Sequence, residues 1–246
     1  MNLNRYKSTK RIVLILVLLA VFGLLILKRE KIIPFFHIKG MYSIKLPSPV
    51  YRSNTSIEEA LKQRRSHRQF KNEALHLQQV AQLLWAAQGI TSPTGFRTAP
   101  SVGGLYPLEM YLVSGNVQDL PAGIYHYSPQ DHTLDLVIKG DKRKELATAA
   151  HEQNDVKSSA LVFVIVANYK KTNRQYGTRS ERFVNLEVGH VAENIYLQVV
   201  SLGLGTVSIG IFDETAVKRI LGLQREEEPI YIMPVGKPLL LEPSKV

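Results

Sequence analysis

The feature that most constrains the fold of this chain is a run of seven consecutive apolar residues, Leu161–Ala167. A strand with one wet face alternates apolar and polar residues, whereas an unbroken apolar run of this length predicts a strand covered on both faces. The segments around it read as both helices and strands, in an order that lacks a regular βαβ alternation. We therefore expect an α+β fold.

Periodicity, caps and turn residues predict the other elements. Ser56 and Glu59 form a capping-box pattern before a short helix with an apolar stripe of Ile57, Ala60 and Leu61. The remaining elements are predicted as a helix from Leu77 to Ala87, a loop over 91–104, a strand over 109–114, a hairpin of 123–127 with 133–137, helices over 142–151, 182–202 and 214–221, and strands over 205–211 and 230–235.

The N-terminal segment differs from the rest in charge and hydropathy. Residues 1–31 carry seven Lys and Arg and one acid, whereas the remaining 215 residues carry 24 basic and 20 acidic residues. A nucleic-acid binder would need a basic face on the folded domain, so no nucleic-acid partner is expected. The chain contains no cysteine, which excludes disulfides, thiolate catalysis and Cys-ligated zinc.

The segment Ile12–Leu27 contains sixteen residues without a polar side chain. As a helix it would span about 24 Å, against roughly 30 Å of bilayer hydrocarbon, and the flanking Lys and Arg side chains would extend that reach. A signal peptide is the alternative, although no small-residue cleavage site follows. We expect a single-pass N-terminal membrane anchor over 1–31, with the charge balance leaning to an extracytoplasmic domain. A linker over 32–55, a domain over 56–240 and a tail over 241–246 follow.

The basic cluster Arg64-Arg65-Ser66-His67-Arg68 comes directly after the predicted capped helix. Guanidinium groups match phosphate with paired hydrogen bonds, and three of them so close repel one another without an anion between them. Such a run is also typical of a solvated surface, but its fixed place after a helix favours a phosphate site.

Two further motifs could carry chemistry. In the loop Ala99–Pro107, the adjacent glycines 103 and 104 would let the backbone approach a flat ligand, although a plain turn is the alternative. The pattern Glu187-x-x-His190-x-x-Glu193 has the spacing of carboxylate metal sites, but such sites need further helices and glutamates, so no metal is expected.

Together these motifs resemble the flavin-dependent nitroreductase superfamily, and most closely its azoline-oxidase branch, over about Ile44–Pro238. The matching patterns are 44–49, Arg64–Phe70, Pro100–Glu109, Glu187–Leu197, 203–205, Ile209–Asp213 and Pro234–Pro238. The resemblance implies a nitroreductase fold with a central, mostly antiparallel sheet between helices, and FMN held at a homodimer interface.

Matched motif by motif, the resemblance implies one FMN site. Arg64, Arg65, Ser66 and Arg68 would hold the phosphate and ribityl chain, with Lys237 as a further phosphate contact. Pro100, Ser101 and Gly103 would border the flavin ring, and Ser208, Ile209 and Gly210 would lie against its reactive edge. The expected function is a membrane-anchored FMN-dependent oxidoreductase that acts on a small-molecule or peptide substrate, with NAD(P)H as a transient donor.

The sequence differs from the azoline-oxidase pattern at one position that bears on the reaction. Azoline oxidases tend to carry Lys-Tyr-Gly before the long helix, whereas this chain has Gln175-Tyr176-Gly177. A neutral amide cannot act as a base, so azoline oxidation itself is not expected, and Tyr176 is the candidate catalytic residue. A packing role for Tyr176 and a non-catalytic binding or assembly protein with the same fold are the alternatives.

Overall fold

The computed structural model, which describes residues 42–239, places the apolar run in an interior strand of one sheet. Strand β5 (Leu161–Asn168) lies in a seven-stranded sheet of order β1-β4-β3-β2-β5-β7-β6. All neighbouring strands pair antiparallel. Side chains 161–167 are all fully buried, so the strand predicted to be covered on both faces is confirmed.

The other elements follow in chain order. The strands are β1 (Ser43–Lys45), β2 (Leu108–Ser114), β3 (Gly123–Ser128), β4 (Thr133–Lys139), β6 (Gly205–Thr206) and β7 (Glu227–Gly236). The helices are α1 (Ile57–Gln63), α2 (Leu77–Gln88), α3 (Arg143–Ala149), α4 (Asn154–Ser158), α5 (Lys170–Tyr176), α6 (Ser180–Ser201) and α7 (Glu214–Leu221), with single 3-10 turns at Val102–Gly104 and Gly177–Arg179.

The side chains of β5 divide between two hydrophobic cores. Leu161, Phe163 and Ile165 belong to one core, which contains the buried faces of α2 and α6. The alternate valines 162, 164 and 166 belong to the other, together with the buried residues of α3 and α7. Because successive side chains of a strand point to opposite faces, the sheet lies between two helical layers. The predicted α+β fold is confirmed.

One predicted strand is shorter in the structure, and two helices were not predicted. The strand predicted over 205–211 pairs regularly only at Gly205–Thr206, because the Ser208 amide donates to the Tyr196 hydroxyl instead of a strand carbonyl. Further along, Ile209 pairs with Ile232 as an isolated bridge. Helices α4 and α5 were not predicted, because their largely polar sequences lack an apolar stripe.

The predicted cap of α1 is present, but its apolar stripe is not part of the core. The Ser56 hydroxyl accepts from the Glu59 amide at 3.1 Å. The Glu59 carboxylate accepts from the Gln63 side chain at 2.8 Å and does not reach back to the Ser56 amide, so only the Ser56 half of the predicted capping box is present. Of the three apolar residues, Ala60 alone is buried, while Ile57 and Leu61 are each 56% exposed. The predicted helical spacing is therefore present in α1, but Ile57 and Leu61 do not face the core.

The predicted membrane anchor over 12–27 lies outside the described residues, as do residues 32–41 of the predicted linker and the predicted tail over 241–246. Between residues 42 and 239, no helix combines the length and apolar character needed to cross a bilayer.

Candidate functional site

The basic segment Arg64–Phe70 is an extended strip that is tied to two strand ends. The His67 amide donates to the carbonyl of Thr206, the last residue of β6, at 2.9 Å. Further along, the Lys71 amide donates to the Lys237 carbonyl at 2.8 Å, just after β7. Side-chain packing adds to these bonds, since a Cβ on Gly205 would lie 2.8 Å from the Cβ of His67. The backbone of the cluster is therefore fixed.

Three of the predicted site residues surround Tyr196, and two of them contact its hydroxyl. It accepts from the Ser208 amide at 2.8 Å and lies 3.2 Å from the Ser66 hydroxyl and 3.4 Å from the Ser208 hydroxyl. The guanidinium of Arg64 lies 5.4 Å from the centre of the Tyr196 ring, within cation–π range. Arg64, Ser66, Ser208 and Tyr196 are called the tyrosine cluster below.

The other predicted cations take different positions. The Lys237 ammonium lies 3.5 Å from where a Cβ on Gly203 would stand, one residue beyond the C-cap of α6. Arg65 turns back on α1, donating to the carbonyls of Lys62 at 3.0 Å and Arg64 at 2.7 Å. Arg65 is thus separate from the tyrosine cluster, because its guanidinium satisfies the carbonyls at the end of α1.

Arg68 is exposed and faces a buried carboxylate. Asp155 is 3% exposed, and burial raises its pKa although the positive charge of Arg68 opposes the rise. One carboxylate oxygen of Asp155 accepts from the Val156 amide at 3.0 Å. The other oxygen has no hydrogen-bond partner among the described residues. Arg68 therefore has a nearby acid.

The glycine loop 100–106 forms a second cluster. The Ser101 hydroxyl accepts from the Tyr106 amide at 2.9 Å, which closes the loop on itself. Gly103 and Gly104 have φ of +58° and +65°, and Tyr106 has the same left-handed conformation with φ +47°. That conformation is unfavourable for tyrosine and is held by fixed contacts. One is the Arg97 amide, which donates to the Tyr106 hydroxyl at 3.2 Å.

Tyr176 comes to this loop from the end of α5. A Cβ on Gly103 would lie 2.7 Å from the Tyr176 hydroxyl and 3.5 Å from the Gln175 side-chain nitrogen. The Gln175 amide donates to the Tyr176 hydroxyl at 3.3 Å. Glycine at 103 therefore makes room for Tyr176 and Gln175, and the predicted residues Ser101, Gly103 and Tyr176 do come together.

The segment Ser208–Gly210 leads from the tyrosine cluster to a cavity. Ile209 exchanges hydrogen bonds of 2.9 and 3.0 Å with Ile232. Gly210 borders a cavity of about 650 Å³, which Gly177 and Asn173 also line. A second cavity of about 600 Å³, between 50–57 and helices α2 and α6, contains none of the predicted site residues.

Helix α6 connects the two clusters. Tyr196 belongs to the tyrosine cluster, while Glu187, nine residues earlier, faces Ser101 in the glycine loop. At 1.5 Å per residue, this separation is about 13 Å along the helix. A ligand that touches both clusters of one chain must therefore be elongated.

Glu187 is a buried acid behind the glycine loop. It is 2% exposed, and Ser101 and Gln88 approach its carboxylate without reaching normal hydrogen-bonding geometry. Burial raises its pKa, opposed in part by Ser101 and Arg97. His190 and Glu193 are exposed, so the Glu187-x-x-His190-x-x-Glu193 pattern does not converge on one point.

The tyrosine cluster suits an anion. It presents the guanidinium of Arg64 and the hydroxyls of Ser66, Ser208 and Tyr196. These are the groups that bind phosphate oxygens.

Tyr196 was not predicted as a site residue from the sequence. Its place in the Asn194-x-Tyr196-Leu197 motif was the one sequence signal that pointed to it. Its contacts could not be predicted, because one hydrogen-bond partner, Ser66, lies 130 residues away in the sequence.

Comparison with known proteins places these residues in a family context. The Nitroreductase family model matches residues 61–237. A nitroreductase-family protein of Methanocaldococcus jannaschii is 41% identical over 181 residues, which are 74% of this chain and 90% of that protein. The microcin B17-processing protein McbC of Escherichia coli is 29% identical over 148 residues, or 57% of this chain and 54% of McbC.

A solved structure extends the similarity to the fold. A nitroreductase-family protein from Ralstonia eutropha has a TM-score of 0.72 and 33% sequence identity, covering 81% of this chain and 90% of that chain. The range matched by the family model, 61–237, contains both the tyrosine cluster and the glycine loop.

Proposed function

The chain belongs to the nitroreductase family, and from this premise we propose that it is an FMN-dependent oxidoreductase. It passes hydride or electron pairs between the flavin and a small-molecule or peptide substrate. The observation that carries the proposal is the tyrosine cluster, where Ser66 and Ser208 meet at the Tyr196 hydroxyl and the Arg64 guanidinium lies over the Tyr196 ring. The similarity to McbC accords with the azoline-oxidase-like motifs.

The residues present fit FMN at its phosphate end. Arg64 and Ser66 would contact the phosphate and ribityl chain, and Lys237 and Arg68 would add positive charge. Arg65 would contribute through the local field, since its guanidinium donates to α1 carbonyls. FMN differs from riboflavin by its phosphate group. A cluster that binds phosphate would therefore favour FMN over riboflavin.

The ring end involves the glycine loop and the segment after β6. Pro100, Ser101 and Gly103 would border the ring, and Ser208, Ile209 and Gly210 would lie along its edge. Bound FMN supplies the hydride chemistry, so the protein itself needs chiefly to bind and orient. Tyr176 would hold a proton at its hydroxyl or shape the substrate space above Gly103.

Gln175 narrows the reaction class. Removing a substrate proton during azoline oxidation needs a base, and the Gln175 amide is neutral and donates to Tyr176. We therefore favour reduction of an acceptor, with NAD(P)H as the donor. The same observation also favours a second candidate, a non-catalytic flavin-fold binding protein. Turnover with quinone or nitro acceptors would exclude that candidate.

The proposal includes a homodimer. Two large apolar side chains next to the site are exposed to solvent, Leu186 on α6 at 56% and Ile211 after Gly210 at 76%. Exposed apolar surface beside a functional site is typical of an interface, and a second copy would cover it. Sedimentation of the flavin-loaded protein tests this point.

We further propose a single-pass membrane anchor over 12–27, with the domain on the extracytoplasmic side. The sixteen apolar residues and their basic flanks support it. Protease added to intact cells would cleave an extracytoplasmic domain and leave a cytoplasmic one whole.

The central experiment is flavin binding by the full chain, purified in mild detergent. We expect a yellow protein that binds FMN more tightly than riboflavin, and that is bleached by a reduced nicotinamide. Replacing Arg64 and Arg68 by Ala should abolish FMN retention, whereas Arg52→Ala, an exposed change outside the site, should not. A folded protein that takes up no flavin when FMN is added contradicts the proposal.

A further inference from the structure

Helix α5, which carries Gln175 and Tyr176, has little hydrophobic support. It has seven residues, and Thr172 is the one buried among them. Isolated helices of this length are unstable in water, and protein helices are normally held by an apolar face. Apart from the Tyr176 ring, which packs edge-on against Phe183 with ring centres 5.2 Å apart, we expect polar contacts to hold α5 in place over the glycine loop.

Lys171 supplies such a contact. Its ammonium bonds the carboxylate of Glu109 on β2 and donates to the Tyr106 carbonyl at 3.4 Å. Lys171 and Gln175 are four residues apart and so lie on the same face of the helix. Through this face, α5 approaches the segment 103–109 at two places, at Lys171 and at Gln175, whose side-chain nitrogen would lie 3.5 Å from a Cβ on Gly103.

Glu109 is a rigid partner for Lys171. Its carboxylate is 18% exposed and also bonds His126 of β3 at 2.9 Å, and the His126 ring packs 5.1 Å from Tyr111. Burial alone would raise its pKa, but hydrogen bonds from His126 and Lys171 and the charge of Lys171 lower it to about 2. The carboxylate is therefore charged and fixed at any ordinary pH.

Tyr106 is equally well fixed. Its amide and hydroxyl are both bonded, and the Arg97 guanidinium lies 4.4 Å from its ring centre. By contrast, the neighbouring pair Lys170–Glu226 has a separation of 3.6 Å, and the Lys170 side chain is 78% exposed. Exposed pairs of that kind contribute little, because solvent screens them.

We propose that Lys171 and Glu109 form a latch that positions Gln175 and Tyr176 over Gly103. Opening the latch frees α5 and moves the Tyr176 hydroxyl away from the glycine loop. Lys171 is a positioning residue, since its ammonium is committed to Glu109 and the Tyr106 carbonyl. The effect on the flavin rests on the proposed function, whereas the latch itself is a property of the protein without cofactor.

The test is amide hydrogen exchange over 169–180 in the full chain without flavin. Lys171→Met should exchange roughly ten-fold faster there than the native chain, because local opening no longer breaks an ion pair. The matched control Lys170→Met removes the same charge from the same helix and should exchange at the native rate. Lys171→Arg should restore protection, since a guanidinium can bond the same carboxylate. Equal exchange in Lys171→Met and Lys170→Met would overturn the latch.

A second variant keeps the test independent of any one substitution. Glu109→Gln should also speed exchange in α5, and the double variant should be no faster than the faster single variant, since both changes break one contact. Additive effects would overturn the latch. Unchanged exchange in β5 establishes that each variant is folded.

Flavin binding separates the latch from the proposed function. Lys171→Met should bind FMN as tightly as the native chain, because the tyrosine cluster is intact, and should change kcat more than the KM for the donor. Faster α5 exchange in a chain that binds no flavin would leave the latch standing and refute the proposed function. Normal flavin binding with unchanged exchange would refute the latch alone.

Discussion

Replacing Tyr196 by Phe removes one oxygen atom from the centre of the tyrosine cluster. Tyr196 is 7% exposed, and its hydroxyl accepts from the Ser208 amide at 2.8 Å. Ser66 and Ser208 also place their hydroxyls 3.2 and 3.4 Å from it. The ring remains in place, so packing and the contact with Arg64 should persist. The substitution therefore isolates the hydrogen bonds.

The cost follows from what each partner can do afterwards. The two serine hydroxyls can rotate toward water, but the Ser208 amide loses a short bond at a partly buried position. An unsatisfied amide costs about 1–3 kcal/mol, and partial exposure places this one nearer the lower end, at about 1–2 kcal/mol. For a domain of this size, that lowers Tm by about 2–8 °C.

The same change should weaken FMN binding. Ser66 belongs to the proposed phosphate contacts and Ser208 to the ring edge, and both lose their shared anchor. A loss of about 1–2 kcal/mol corresponds to about a five- to thirty-fold rise in the FMN Kd. Quenching of flavin fluorescence on titration measures the Kd, and thermal unfolding without flavin measures the stability.

Tyr125→Phe is the matched control. Its hydroxyl donates to the Pro121 carbonyl at 2.8 Å in the β3 region, away from the predicted site residues. It should lose comparable stability and bind FMN normally. If Tyr196→Phe also binds FMN normally while losing stability, the tyrosine cluster is structural alone and the reasoning fails.

Three further predictions concern the two clusters and the latch. Arg64→Ala should raise the FMN Kd at least ten-fold more than Arg65→Ala, since Arg65 donates to helix carbonyls; equal Kd values in a titration would contradict this. Gly103→Ala should lower stability by about 1–2 kcal/mol, because φ is +58° and the new Cβ would stand 2.7 Å from the Tyr176 hydroxyl; an unchanged urea midpoint would contradict this. Acid should weaken the fold through Glu109, whose folded-state pKa of about 2 lies below its ordinary 4.5; stability on the order of 3 kcal/mol is present above pH 4.5 and lost as pH falls toward 2. Urea unfolding of Glu109→Gln should lack that part of the pH dependence, and identical pH profiles would contradict the assignment.

Sequence patterns located the elements whose stability is local or periodic. The apolar run became β5, and the helices over 77–87 and 214–221 were found within one residue of their ends. Ser56 caps α1 as predicted, because a cap bond joins residues three positions apart. Such signals are contained in short windows and need no knowledge of distant contacts.

Neither the presence nor the position of helix α5 could be predicted from the sequence. Its sequence, Lys170–Tyr176, has no apolar stripe, and its position depends on Glu109, more than sixty residues earlier. Ile57 and Leu61 show a related limit. Their helical spacing was predicted correctly, but both side chains are exposed instead of facing the core. A period states which residues share a face, but the packing of the whole chain decides which face is covered.

The sequence by itself determined that cations, hydroxyls and glycines are available, and in which order they occur along the chain. The tertiary structure alone decided which of them meet: it brought Ser66 and Ser208 to Tyr196, turned Arg65 back to α1, and placed Tyr176 at Gly103. The reason is that side-chain hydrogen bonds need specific geometry within about 3 Å. The Ser66–Tyr196 contact spans 130 residues of chain, and only the folded backbone can set such a distance.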